Sequence, residues 1–187
     1  AAEPAIEASR KKLEEVFNSN LVGTLNVLKK CAKDKSNIIY LSSSRVYSMS
    51  NLFKLKNKGS VKENFNTENA KSIYGFTKLT SEHLIKEYAY LYKIKYLINR
   101  VALVSGPWQF GKEEQGFVSL WVWRHINNFK INFIGFNGNG RQVRDVLHIK
   151  DLCELILLQI QKIKKIKNKF MNIGGGKTNS LNLIQLT

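Results

Sequence analysis

Asn37-Ile38-Ile39-Tyr40-Leu41-Ser42-Ser43-Ser44 is the stretch on which the fold turns. Asn37 to Leu41 is a short, mostly apolar run without polar alternation, which suits a strand of a parallel sheet buried on both faces. Hydroxyls close it. After a polar, lysine- and asparagine-rich segment from Asn51 to Asn69, which reads as a loop, a helical pattern spans Ile73 to Tyr92. That helix opens with Tyr74-Gly75-Phe76-Thr77-Lys78. A tyrosine and a lysine four residues apart share one helix face, a turn from each other. A free tyrosine has a pKa of about 10, and a neighbouring ammonium favours its phenolate. The pair with an upstream hydroxyl is therefore suited to proton transfer at a carbon that bears a hydroxyl group.

Outward from this centre, helices and strands alternate. Residues from about Leu13 to Ala32 place Phe17, Leu21, Leu25 and Leu28 on one helical stripe. Tyr96 to Val104 reads as a second buried strand closed by Gly106-Pro107. Phe117 to Asn128 reads as an aromatic helix and Ile131 to Phe136 as a strand. Asp151 with Glu154 makes a capping-box pattern for a helix reaching about Ile163. Phe170 to Ile173 is a last short strand before Gly174-Gly175-Gly176, and Gly135 to Gly140 reads as a turn. Ser180 resembles an N-cap for the apolar segment Leu181, Leu183, Ile184, Leu186. The alternation predicts an α/β fold with a largely parallel sheet, in which ligands bind beyond the carboxyl ends of the strands. The serine run and the Gly106 turn lie at such ends. Ala1 opens close to a helix and the last apolar segment stops at Thr187, so the chain reads as a piece of a longer protein.

Its 187 residues suffice for one domain with a sizeable core, and 43% hydrophobic residues is ordinary for a globular protein. No apolar run approaches a membrane span, no signal peptide is visible, and Cys31 and Cys153 stand apart from any CxxC spacing. A reducing cytoplasm is the expected location, without a membrane partner. His83, His125 and His148 are too scattered to suggest a metal site. The net charge of +16 comes from 30 basic residues, of which 24 are lysines spread along the chain. The densest run, Lys162 to Lys169, interleaves with Ile160, Ile163 and Ile166 and reads as the solvated, fraying end of a packed helix. Charge without a recognition motif argues against a nucleic-acid partner, while small anionic substrates suit it.

The order Ser42-Ser43-Ser44-Arg45-Val46-Tyr47, then Tyr74-Gly75-Phe76-Thr77-Lys78, resembles the extended short-chain dehydrogenase/reductases that act on nucleotide sugars. Asn20-Leu21-Val22-Gly23-Thr24 is similar to the helix motif that precedes their catalytic strand. Gly138-Asn139-Gly140-Arg141-Gln142-Val143-Arg144-Asp145-Val146-Leu147-His148 is similar to their diphosphate-binding turn and strand. Within the family, Gly106-Pro107-Trp108-Gln109-Phe110 followed by Glu114-Gln115-Gly116 most resembles the CDP-paratose 2-epimerase branch. Four motifs in the right order span nearly the whole chain.

The resemblance implies a Rossmann-like, doubly wound parallel sheet, truncated at its N-terminus, with part of a smaller C-terminal substrate-binding region. Residues 1–105 would be the partial dinucleotide-binding domain. Residues 106–187 would be mainly substrate-binding, with some segments returning to the sheet. It implies NAD as cofactor, a nucleotide sugar as substrate with a CDP-sugar favoured, and a homo-oligomeric parent protein. Ser43, Tyr74 and Lys78 would be catalytic: Tyr74 moves the proton, Ser43 holds the same oxygen, and Lys78 lowers the tyrosine pKa and binds the nicotinamide ribose. Asn20 and Ser42 would join Tyr74 and Lys78 around the cofactor. Gln109, Phe110 and Arg144 would join Ser43 around the substrate, Arg144 at the diphosphate.

Departures from the family pattern narrow the chemistry. Its dehydratases carry Asp-Glu after the hydroxyl residue, where this chain has Ser44-Arg45, so dehydration is disfavoured. The asparagine common in 4-epimerases is replaced by Leu103, and Trp108 stands where a basic or polar residue is usual. The glycine-rich fingerprint that cradles the cofactor pyrophosphate is not among these residues. The expected reaction is epimerisation through a keto-sugar, at C2 of a CDP-linked dideoxyhexose. Another nucleotide-sugar epimerase, such as a 4-epimerase, and a non-catalytic fragment are the alternatives.

Overall fold

The computed structural model describes residues 12–53, 60–69, 72–112, 115–133 and 136–187. Helix α1 (Leu13–Phe17) runs through a π-helical turn (Asn18–Val22) into α2 (Gly23–Asp34), which ends as Lys35 turns left-handed at φ 51°. Strand β1 (Ile38–Ser43), a 3-10 turn (Ser44–Val46) and a short α3 (Met49–Phe53) follow. Next come α4 (Ile73–Tyr92), β2 (Tyr96–Val101) and β3 (Leu103–Ser105). The chain continues through α5 (Phe117–Ile126), β4 (Val143–His148), α6 (Ile149–Lys162) and β5 (Lys169–Ile173). It closes with β6 (Ser180–Asn182) and α7 (Leu183–Leu186).

These elements form two compact units. One takes the residues up to Val101 together with Ile156–Ile173, and the other takes Ala102–Leu155 and Gly174–Thr187. The first unit holds an all-parallel sheet of order β1-β2-β5. Its register sets Tyr40 beside Ile98 and Ile98 beside Phe170, and one step further Ser42 beside Arg100 and Arg100 beside Asn172. Side chains two apart share a face, so these residues form one surface. That surface carries the apolar core, where Ile38 and Ile98 pack with Leu28 of α2 and Ile85 of α4. Asn99 lies one step out of phase and belongs to the opposite face. There it exchanges two buried amide hydrogen bonds with Gln159 of α6, at 2.8 and 3.0 Å. Helices on both faces of a parallel sheet are the doubly wound arrangement.

The second unit has a small mixed sheet, β3-β4-β6, with β3 parallel and β6 antiparallel to β4. Trp121 of α5 is buried between the rings of Phe117 and Phe133, with centroids 5.9 and 5.6 Å away. The Gly174-Gly175 turn lies flush on β4, since a Cβ on Gly175 would fall 2.0 Å from the Val146 carbonyl oxygen.

Several element expectations change. Tyr96 to Val104 is not one strand: it breaks at Ala102, and the two pieces pair in different sheets. An apolar run encodes burial but not the partner strand. Residues 131–133 form no strand, because Phe133 satisfies its apolar surface against Trp121, and residues 136–138 are a 3-10 turn. Helix α6 starts two residues before Asp151, with the Lys150 N–H donating to His148 Nδ1 at 3.2 Å. Asp151 therefore sits in the first turn, where an anion favours the helix dipole, rather than at the cap. Ser180 belongs to β6, and the cap is Asn182, which forms a capping box with Gln185. The loop expected from Asn51 opens inside α3. The expectations for Ala1, Glu114 and Gly135 lie outside the described residues. Among those described, no helix is long and apolar enough to cross a membrane, and no group of three or more His, Cys, Asp or Glu is gathered that could hold a metal ion.

Candidate active site

The site grows from the way α4 starts. Ser72 caps it, its hydroxyl accepting from the Gly75 N–H at 3.1 Å, so the helix is regular from its first turn. Gly75 then allows a contact that no other residue permits. A Cβ there would stand 2.1 Å from the carbonyl oxygen of Arg45, in the turn that leaves β1. The bare glycine lets the first turn of α4 lie directly on the backbone beyond the strand. Tyr74 is thereby brought near Ser43, close enough for the hydroxyl to pull the phenol's pKa down. Ser43 Oγ also accepts the Arg45 N–H at 3.2 Å, which ties the hydroxyl to the turn.

Lys78 lies one helical turn further along. Only 7% of its surface is exposed, and its Nζ donates to the Leu41 carbonyl at 2.8 Å. The ammonium stands 4.6 Å from the Tyr40 ring centroid and 6.0 Å from that of Tyr74. Burial pulls its pKa down to about 8, against the opposing pull of Glu82. Tyr74 moves the other way. Burial raises its pKa above the usual tyrosine value, although the Ser43 hydrogen bond and the Arg45 charge work against that rise. The expectation that Lys78 lowers the tyrosine pKa is thus corrected for this state of the protein. Desolvation outweighs the charges nearby, and the ammonium is engaged with the Leu41 carbonyl. Both side chains are poised with their protons on at neutral pH, close to one another and screened from water.

The remaining expected residues divide. Ser42 is buried and donates its hydroxyl to Glu82 Oε1 at 2.6 Å, so it anchors α4 instead of presenting the hydroxyl to a ligand. Neighbouring strand residues diverge, and for this reason Ser42 and Ser43 have different partners. Asn20 sits in the π-helical turn, 2% exposed. Its Nδ2 donates to Thr77 Oγ1 at 3.2 Å, and its carbonyl accepts from Ser81 at 3.3 Å. It is packed against the residues that flank Lys78 on α4. In the other unit, Gln109 donates to the Val104 carbonyl at 3.2 Å and accepts from Ser119 at 3.3 Å, which commits its amide between β3 and α5. Phe110 is 82% exposed. Arg144 is half-buried on β4 and donates to the Val143 carbonyl at 2.8 Å.

Sequence reading missed the pair beneath this site. Glu82 is fully buried and takes Arg100 in a forked ion pair, Nη2 to Oε2 at 2.7 Å and Nε to Oε1 at 3.0 Å. Arg100 Nη1 also donates to the Tyr47 hydroxyl at 2.9 Å, and that hydroxyl donates to Asn172 Oδ1 at 2.8 Å. The signal was present: an arginine inside an apolar strand and a glutamate on the buried helix face. Such charges are buried only when paired.

The residues present fit the nicotinamide end of NAD. An ammonium has three N–H donors, and the Leu41 carbonyl takes one while the Tyr40 face meets the charge. Donor capacity remains for a ribose hydroxyl, at the carboxyl end of a parallel strand where such ligands bind.

Comparison with known proteins agrees in kind. The family model described as NAD dependent epimerase/dehydratase family matches residues 1–174. A CDP-paratose 2-epimerase of Salmonella typhi is 31% identical over 183 residues, covering 91% of this chain and 54% of that protein. A putative UDP-glucose 4-epimerase of Methanocaldococcus jannaschii is 32% identical over 165 residues, covering 87% and 50%. The crystal structure of Thermotoga maritima UDP-glucose 4-epimerase with UDP-glucose superposes with a TM-score of 0.81 at 25% identity, over all of this chain and 56% of that one. The chain spans about half the length of the curated relatives it matches. It belongs to the NAD-dependent epimerase/dehydratase family, whose cofactor is NAD.

Proposed function

We propose that the protein containing this chain is a nucleotide-sugar epimerase, of the kind that inverts C2 of a CDP-linked sugar. The observation that carries the reading is Tyr74 set beside Ser43 at the carboxyl end of β1, with the buried Lys78 one turn along on α4. NAD, when bound, supplies the acceptor that takes a hydride from the carbinol carbon and gives it back to the opposite face. Tyr74 exchanges the proton on the sugar oxygen, and Ser43 donates a hydrogen bond to that oxygen as charge develops on it. Lys78 holds the ribose with the donor capacity that the Leu41 carbonyl leaves over. Arg144 is the proposed diphosphate ligand, because a planar guanidinium matches phosphate oxygens in pairs. Ser44-Arg45 supplies no carboxylate acid and base for eliminating water, which favours epimerisation over dehydration.

The reading is tested in the protein that contains this chain by Tyr74→Phe. The variant should fold as the parent does and lose at least about a hundredfold in kcat, the usual scale of a lost acid-base group. Near-parental turnover would sink the role given to Tyr74. A 4-epimerase is the second reading, favoured by the 32% identity to the Methanocaldococcus protein. NMR of the product separates the two: inversion at C2 of a CDP-sugar supports the first, and inversion at C4 of UDP-glucose the second.

A further inference from the structure

Tyr74, Lys78 and Glu82 stand at i, i+4 and i+8 on α4, one stripe of one helix. Three consecutive residues of β1 receive them. Ser43 meets Tyr74, the Leu41 carbonyl takes Lys78 at 2.8 Å, and the Ser42 hydroxyl donates to Glu82 at 2.6 Å. Glu82 is in turn locked by Arg100 of β2, directly opposite Ser42 in the sheet register. A buried ion pair is a poor source of net stability, since apolar replacements of the same volume are often as stable or more so. Its presence under a reactive lysine calls for another account.

We infer that Glu82 is a positioning residue: braced by Arg100 and Ser42, it sets the face of α4 on β1 and holds Lys78 as a cation beside Tyr74. The inference rests on the reading of Lys78 and Tyr74 as the reacting pair. The carboxylate is one turn from Lys78, and its forked bonds to Arg100 and Ser42 keep it from turning elsewhere. The rings of Tyr40 on β1 and Tyr74 on α4 face the Lys78 ammonium. The one charge that opposes loss of the Lys78 proton comes from Glu82.

The test reads Lys78 directly. In the protein that contains this chain, labelled with [6-13C]lysine, the Lys78 Cε resonance, assigned by its loss in Lys78→Arg, is followed from pH 6 to 11. Wild type should titrate near 8. In Glu82→Gln, which keeps the shape and removes the anion, the midpoint should fall by about one pH unit. An unchanged midpoint in folded Glu82→Gln overturns the inference. Should that variant fail to fold, Glu82→Leu with Arg100→Met removes a cation along with the anion, and a smaller fall in the same direction is expected. A wild-type midpoint there, or failure of both variants to fold, returns the pair to a purely structural role. Because the titration needs no turnover, it is independent of the Tyr74→Phe assay. Loss of the enzymatic reading would leave the resonance where it is.

Discussion

At the scale of single residues, Lys78 carries a cost that pH exposes. Its pKa is about 8 in the folded chain, against 10.5 for an ordinary lysine. Below pH 8 both folded and unfolded chains hold the proton, and the fold bears the full penalty of a buried ammonium. Between 8 and 10.5 the folded chain releases its proton first, so stability rises with pH from this group. Above that window the penalty is gone. The difference corresponds to about 3 kcal/mol. Lys78→Met is therefore expected to gain stability relative to wild type at pH 7.5 and to lose most of that advantage by pH 10.5. Urea unfolding of both proteins at the two pH values measures it. A gap that stays constant would show that Lys78 is not desolvated as described.

At the scale of elements, the decisive contact is α4 lying on the turn after β1. Gly75 is helical, and an alanine in a helix is ordinarily worth up to about 1 kcal/mol. Here the new Cβ would meet the Arg45 carbonyl oxygen at 2.1 Å, a backbone atom that cannot step aside without moving the turn. Gly75→Ala is expected to destabilise by about 1–3 kcal/mol despite the better propensity, as overpacked sites do. It should also pull Tyr74 away from Ser43. Thermal unfolding checks the sign, and an increase in Tm would contradict the close approach. The YG pair was legible as a motif, but the reason for the glycine was not. Its neighbour, Arg45, is 30 residues earlier, and only packing reveals the contact.

At the scale of the first unit, the chain leaves after Val101 and returns at Ile156, and the return is pinned by Asn99 and Gln159. Both amides are buried, 0% and 3% exposed, and each satisfies the other. Replacing one alone strands the partner in an apolar setting, at about 1–3 kcal/mol. Asn99→Leu should therefore cost that amount, while Asn99→Leu with Gln159→Leu should recover most of it. Denaturant unfolding of the three proteins closes the cycle, and additive losses in the double variant would contradict a reciprocal pair.

Much of this protein was readable before any coordinates. A strand buried on both faces shows as an unbroken apolar run, so β1 and β5 were found within one or two residues. A long amphipathic helix repeats its pattern many times, so α4 was placed at Ile73–Tyr92 with both ends correct. The Tyr74/Lys78 pair was legible from spacing, and Ser43 joined it through the family resemblance; the structure places all three at the end of β1 and the start of α4. What tertiary structure alone decided are the quantities that depend on neighbours distant in sequence. Burial, not the nearby lysine, governs the Tyr74 pKa. Ser42 turns to Glu82 while Ser43 turns to Tyr74. The run from Tyr96 to Ser105 divides between two sheets. Local pattern encodes which side chains seek the interior, but desolvation and pairing are properties of the assembled interior itself.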